Sequence, residues 1–263
     1  MKIAVVMPVI LKEQQLLELT RESVSHLRTK HDVTVFVVCN ALHVCTAEEL
    51  RADLQPRCGG QLRVLNEPGV SRSVAGSWNA GAGLAFAAGN KYVAAIANDA
   101  LLREDCLDVL VEFGEQGRAD LWSGISYNNR GEIDASQETD GADFTCFMFT
   151  EATIRKYGWF DTNFKPAYFE DNDYYARVVL GDGRCRVVHG AQFFHYGSMT
   201  IRHDAVAAYH VRHWFDMNRR YFGRKWGVPQ PAGNSEGVLR SYYHHPFNDP
   251  SHPLSWFPED GNP

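Results

Sequence analysis

Ile3-Ala4-Val5-Val6-Met7-Pro8-Val9 is the first apolar run of the chain and sets the pattern that the following elements repeat. Ile3 to Met7 is apolar without alternation, the pattern of a strand buried on both faces of a parallel sheet. Outward from it, Leu16, Leu17, Thr20, Val24 and Leu27 recur at helical spacing, which predicts a helix over roughly 12 to 29. Val33 to Cys39 (VTVFVVC) is a second strand, and Ala47 to Leu54 a second helix. Gln61 to Leu65 is a third strand, Ser73 to Ala88 an Ala-rich helix, and Tyr92 to Ala97 a fourth strand. A helix near 104 to 113 completes this half. Alternating strand and helix over the first 115 residues imply a parallel sheet covered on both faces. Ligands of such sheets gather beyond the carboxyl ends of the strands. Those ends are Met7-Pro8-Val9, Cys39-Asn40-Ala41, Asn66-Glu67 and Asn98-Asp99.

The second half is less regular. Leu121 to Tyr127 and Phe144 to Phe149 read as strands, separated by a polar loop over Asn128 to Gly141. Thr150 caps a short helix that ends at Gly158, with Glu151 in its first turn. A helix to about Leu180 follows the acidic block at 170–173, and strands are expected near 185–188 and 192–195. A long helix is expected over 203 to 222, with a tail from 227 to 263.

The chain has 263 residues, 44% hydrophobic and 22% charged, which is enough apolar material for a full core. A net charge of -6 argues against broad nonspecific nucleic-acid binding. Cys39, Cys45, Cys58, Cys106, Cys146 and Cys185 form no CxxC pair, so they read as free buried thiols of a reducing compartment. The apolar start is short, contains Pro8 and runs into Lys12 and Glu13, unlike a signal peptide. No apolar run approaches the ~20 residues of a membrane span. The expected location is cytoplasmic, with peripheral attachment to a membrane left open.

Five constellations carry candidate chemistry. In Tyr168-Phe169-Glu170-Asp171-Asn172-Asp173, acids stand where an aromatic loop becomes a helix. First-turn carboxylates are favoured by the helix dipole by ~0.3–1 kcal/mol, and an ionised one can accept a hydroxyl proton. The alternative is an N-cap at Asp171. Asp99, just past a strand, suits a hard divalent cation or a helix cap. Arg72, at a helix start, suits a phosphate, and Asn79 sits inside an Ala/Gly helix where its amide needs a use. Gly76 and Gly81 fit tight helix–sheet packing. His195 ends an apolar strand as a metal ligand or a structural group. Arg212, Arg219, Arg220, Arg224 and Lys225 interleave with Tyr209, Trp214, Tyr221, Phe222 and Trp226, as an anion-facing surface or a solvated helix face.

Taken together, these residues resemble the family 2 glycosyltransferases with the GT-A fold. The matches run in order: Val5-Val6-Met7-Pro8-Val9, Asn79-Ala80-Gly81, Asn98-Asp99, the Trp159-Phe160-Asp161 to Glu170-Asp171-Asn172-Asp173 block, His195, and a closing Asn218 to Trp226-Gly227 segment. The resemblance implies a Rossmann-like three-layer α/β/α sandwich with a mostly parallel central sheet and a C-terminal helical extension. It implies a GT-A domain over 1–200, with a nucleotide-sugar half (1–115) and an acceptor half (116–200), then a helix and tail over 201–263. The implied activity is inverting transfer from a nucleoside-diphosphate sugar to a hydroxyl of a glycan, a lipid-linked intermediate or another acceptor, a nucleic acid not excluded. Asp171 would be the general base and Glu170 would position acceptor or base. Pro8, Val9, Asn40, Arg72, Asn79, Asn98, Asp99 and Trp159 would contact substrate. Asp99 and His195 would hold a divalent cation, Mn²⁺ or Mg²⁺. Two departures stand out. Asn40 occupies the place of the family's base-contacting Asp, and Ala97 that of the first acid of its metal motif. A non-catalytic nucleotide-sugar or carbohydrate binder on the same fold is the competing reading.

Overall fold

β1 (Lys2–Leu11) is a central strand of a nine-stranded sheet. The computed structural model describes residues 1–67, 69–128, 131–197, 199 and 205–226. Along β1, Ile3, Val5, Met7 and Val9 join one core, and Ala4 and Val6 join another on the opposite face. Period-two alternation with both faces apolar is what burial between two helical layers requires. Pro8 is tolerated because β4 pairs only with Ile3 to Val6, leaving that edge of β1 free from Met7 onward.

The chain continues through α1 (Gln14–Ser25), β2 (Asp32–Leu42), α2 (Ala47–Leu54), β3 (Gln61–Asn66), α3 (Val74–Ala87) and β4 (Tyr92–Ile96). Then come β5 (Ala100–Leu102), α4 (Cys106–Glu115), β6 (Leu121–Ser126), β7 (Glu138–Asp140) and β8 (Cys146–Phe149). The last elements are α5 (Glu151–Tyr157), α6 (Glu170–Leu180), β9 (Cys185–His195) and α7 (Ala205–Trp226). The sheet order is β3-β2-β1-β4-β8-β6-β9-β5, with β7 also on β9. β1, β2, β3, β4, β6 and β9 run one way, while β8, β5 and β7 run the other. α1, α2 and α4 supply the core on one face, and α3, α5 and α6 the core on the other. Pairing of β4 with β8 joins the two halves of the chain into one sheet. Gly81 lets α3 lie against β1, since a Cβ there would fall 2.4 Å from Val6 Cγ1.

Most expected elements are present, with local differences. α1 stops at Ser25 rather than 29, although Leu27 stays buried. The two late strands are one, β9, whose register against β6 shifts between Ser123 and Ile125. Gly124 makes room for that irregularity, because a Cβ there would meet Ala191 O at 2.5 Å. β5 and β7 were not expected: each is three residues long, too short for a periodic signal, and each exists through pairing with β9. α7 extends to Trp226, beyond the expected end at 222. Its expected start at 203 and the tail of 227–263 lie outside the described residues. Among the described residues, no helix is long and apolar enough to cross a membrane.

Candidate functional site

The ends of β1, β2, β4, β6 and β9 share one edge of the sheet, and the candidate residues collect along it. Val9 pairs with Cys39 and Ile10 with Ala41, so Asn40 is an extra residue in β2. Such a bulge re-aims a side chain. The Asn40 amide donates to Ser77 Oγ (2.9 Å) and accepts from the Arg72 backbone N–H (2.8 Å). It therefore holds the start of α3 to the end of β2. Ser73 caps α3, accepting from Gly76 N–H at 3.1 Å. The Arg72 guanidinium lies 2.6 Å from Glu67. Burial pushes the Cys39 thiol up to about 12, which suits an inert core thiol.

Two further predicted contacts are turned inward. Asn79 is 1% exposed, and its amide spans the Phe160 backbone, donating to the carbonyl (2.8 Å) and accepting from N–H (3.0 Å). Asn98 donates to Thr20 Oγ1 of α1 at 3.0 Å. Both amides act as ties, and the residues they position are Trp159-Phe160 and Asp99. Trp159 is half-buried, and its carbonyl accepts from Arg177 at 2.8 Å.

Asp99 and His195 do come together: Oδ1 lies 3.2 Å from Nε2. Asp99 leads into β5 and does not cap α4, which begins only after Asp105; its Oδ2 instead accepts from the Met199 backbone N–H at 3.4 Å. Pairing of Ala100 with His195 sets the two in register. Asn128 fixes the His195 backbone from both sides, accepting from its N–H (2.8 Å) and donating to its carbonyl. Thr145 Oγ1 lies 3.4 Å from His195 Nδ1. No third His, Cys, Asp or Glu completes a metal-ligating group with them among the described residues.

The acid-bearing segment runs from Asp161 to Asp173. Its Pro166 carbonyl accepts the first free amide of α3, Val74 N–H, at 2.9 Å, which brings it to the edge where Asn40 and Arg72 stand. Tyr168 and Phe169 adopt left-handed backbone (φ 79° and 73°), a strain of about 1–3 kcal/mol each for non-glycine residues. Phe169 is the N-cap of α6, with no side-chain cap, so the capping role does not fall to Asp171. Glu170 is 5% exposed, and its Oε2 has no hydrogen-bond partner among the described residues. Burial, reinforced by the Asp171 and Asp173 charges, holds Glu170 well above the usual carboxylate range. Asp171 keeps some surface open but is crowded by protein, and burial raises it too, against amide hydrogen bonds that pull it down. Burial thus outweighs the helix dipole expected to hold Asp171 ionised.

The remaining two acids are neutralised. Asp173 takes Arg177 Nε (3.0 Å) and Nη2 (2.9 Å), Lys225 Nζ (2.8 Å) and Trp226 Nε1 (3.1 Å). Asp161 takes the same ammonium (2.6 Å) and the Tyr221 hydroxyl (2.8 Å). Lys225 is therefore committed inside the fold, not to a solvated face. Asn218 donates to the carbonyls of Lys165 (3.1 Å), Ala167 (2.9 Å) and Tyr168 (3.0 Å). The sequence reading did not single out Asn128, Thr145 or Asn218 as site residues, nor Tyr221 and Lys225 individually. The only available signal was the closing Asn218-to-Trp226 segment.

No protein-family model and no curated protein sequence matches the chain. Solved structures do. The S. aureus TarS 1-349 complex with UDP-GlcNAc superposes with a TM-score of 0.53 at 14% identity, over 73% of this chain and 57% of that one. The corresponding complex with UDP gives 0.55 at 13% identity, over 92% of this chain and 70% of that one. A longer S. aureus TarS structure gives 0.52 at 14%, over 86% of this chain and 44% of that one. The chain thus spans little more than half the length of the first of these structures. The likeness shows the fold: this is a GT-A sheet and its helical layers.

Proposed function

We propose that the chain is an inverting glycosyltransferase that uses a nucleoside-diphosphate sugar, with Asp171 as general base. The observation that carries this reading is the start of α6, where Glu170 and Asp171 meet no cationic side chain among the described residues while the neighbouring acids are paired with Lys225. A base works best with a pKa lifted toward the operating pH, and burial does that to Asp171. The acceptor hydroxyl oxygen would form a bond to the anomeric carbon as Asp171 takes its proton. The anomeric carbon–oxygen bond to the diphosphate would break, with its electron pair leaving on the phosphate oxygen. Glu170 would orient the acceptor through its free Oε2.

Asp99 and His195 fit as two ligands of a divalent cation, one hard oxygen and one imidazole nitrogen converging at the strand edge. A bound cation would neutralise charge on the departing diphosphate. Donor phosphates and water would have to supply the other ligands. Asn40, Asn79 and Asn98 shape the nucleotide side by fixing the backbone that lines it.

The donor screen starts from UDP-sugars, since UDP and UDP-GlcNAc are the ligands named for the similar structures. It extends to GDP-, TDP- and CDP-sugars, each with and without Mn²⁺, read by thermal stabilisation and nucleotide release. Binding of the right donor raises apparent stability by mass action. Asp171→Asn should keep that stabilisation and lose transfer by about 10²–10⁴-fold. A variant with full activity removes Asp171 as base. Ala97 in place of an acid, and the inward commitment of Asn40, favour the second reading, a non-catalytic binder. Donor stabilisation without turnover in the wild-type protein would select it.

A further inference from the structure

We infer that α7 is a clasp that sets the catalytic geometry of the acid-bearing segment, with Asn218 and Lys225 as its positioning residues. The inference rests on the proposed role of Asp171. Asn218 and Lys225 stand two helical turns apart and face the same way, into the segment. Lys225 is 8% exposed and ties the two ends of that segment together, holding Asp161 at 2.6 Å and Asp173 at 2.8 Å with one ammonium. Asn218, 2% exposed, holds its middle. Its amide nitrogen serves the carbonyls of Lys165, Ala167 and Tyr168, and its oxygen accepts from Lys165 N–H at 3.2 Å.

Only a primary amide of this length offers both a donor pair and an acceptor at one point. The need for it comes from the backbone. Successive left-handed residues at Tyr168 and Phe169 make the backbone before α6 irregular, and carbonyls in such a stretch need a donor from outside it. Between the two ties, Phe164 packs on Tyr221 (4.9 Å between ring centres), and Phe169 on Phe215 (5.0 Å) and Phe222 (5.6 Å). Phe169 directly precedes Glu170. The angle at which α6 starts, and with it the place of Asp171, is thus fixed by an element outside the sheet.

Asn218→Leu keeps the branched shape and removes the amide. Lys225→Arg keeps the charge but replaces a compact ammonium by a planar fork. Met217→Ala, at an exposed position of α7, is the control. Two readouts are needed: steady-state transfer with the donor found above, and amide hydrogen exchange. Asn218→Leu should lower kcat by roughly tenfold to a hundredfold, the cost of a small misplacement of a catalytic group, with KM for the donor within about twofold. Amides of 163–173 should exchange at least about tenfold faster while those of β1 and β2 stay as in wild type. Lys225→Arg should show the same pattern to a smaller degree, and Met217→Ala neither change. Wild-type kcat in Asn218→Leu overturns the inference. So does exchange that rises equally throughout β1 and β2, which marks a general loss of stability. If no donor supports transfer by the wild-type protein, the proposed function has failed, and the exchange pattern alone decides whether α7 holds the segment.

Discussion

Asp161 and Asp173 bracket Glu170 and Asp171 in the chain, yet the two pairs sit under opposite electrostatics. The outer acids are 0% exposed and share Lys225, with Arg177, Tyr221 and Trp226 filling the remaining lone pairs. For Asp161, burial acts upward, but the Lys225 charge and hydrogen bonds prevail and hold its pKa below the usual value. The inner acids meet no cation among the described residues, and burial raises both. A fold settles its structural charges internally, so acids that meet no cation are candidates for meeting a ligand.

Removing one charge from each pair should act in opposite directions. Asp161→Asn leaves a buried ammonium short of a partner and should cost about 3–5 kcal/mol at neutral pH. Because the folded pKa of Asp161 is depressed, that deficit exists above the unfolded value of about 3.9 and closes as pH falls through the folded pKa. Urea unfolding of wild type and variant at pH 7 and pH 3 measures it, and equal stability at pH 7 breaks the contrast. Glu170→Gln should do the reverse and stabilise the fold at neutral pH, since the wild-type carboxyl must there either bury a charge or take up a proton on folding, and Gln does neither. Here the folded pKa is raised, so the wild-type carboxyl is at no disadvantage below about pH 4.3 and loses stability as pH rises through the folded value. The Gln variant should therefore match wild type in acid and exceed it in Tm at pH 8. A lower Tm at pH 8 would show that Glu170 is paired after all. The smallest effect is kinetic. With Asp171 raised, the acid limb of kcat should fall at a pH above the ordinary carboxylate range of about 4, and Asn218→Leu should lower the plateau. A limb at or below pH 4 argues that Asp171 is an ordinary exposed carboxylate.

The chemistry of the edge was only partly readable in advance. Asp99 and His195, far apart in the chain, were both picked out and meet at 3.2 Å. Asp173 pairs with Arg177, one helical turn on. Asn40, Asn79 and Asn98 were picked out as substrate contacts, and each is committed to the protein itself. An Asn at a strand end has the same signature whether it serves a ligand or the backbone behind it. Lys225 looked like one more charge on an interleaved basic helix, and its burial follows from two acids that lie more than fifty residues earlier.

The sequence by itself determined the alternation of elements, the parallel half of the sheet and the acids at the start of α6. These depend on local periodicity and on residue types that few other contexts permit. Tertiary structure alone decided the antiparallel placement of β8 between β4 and β6, the short strands on β9, and which carboxylates of the acidic block stay unpaired. Strand neighbours and ion pairs are chosen by energies between distant segments, and no window along the chain contains both partners.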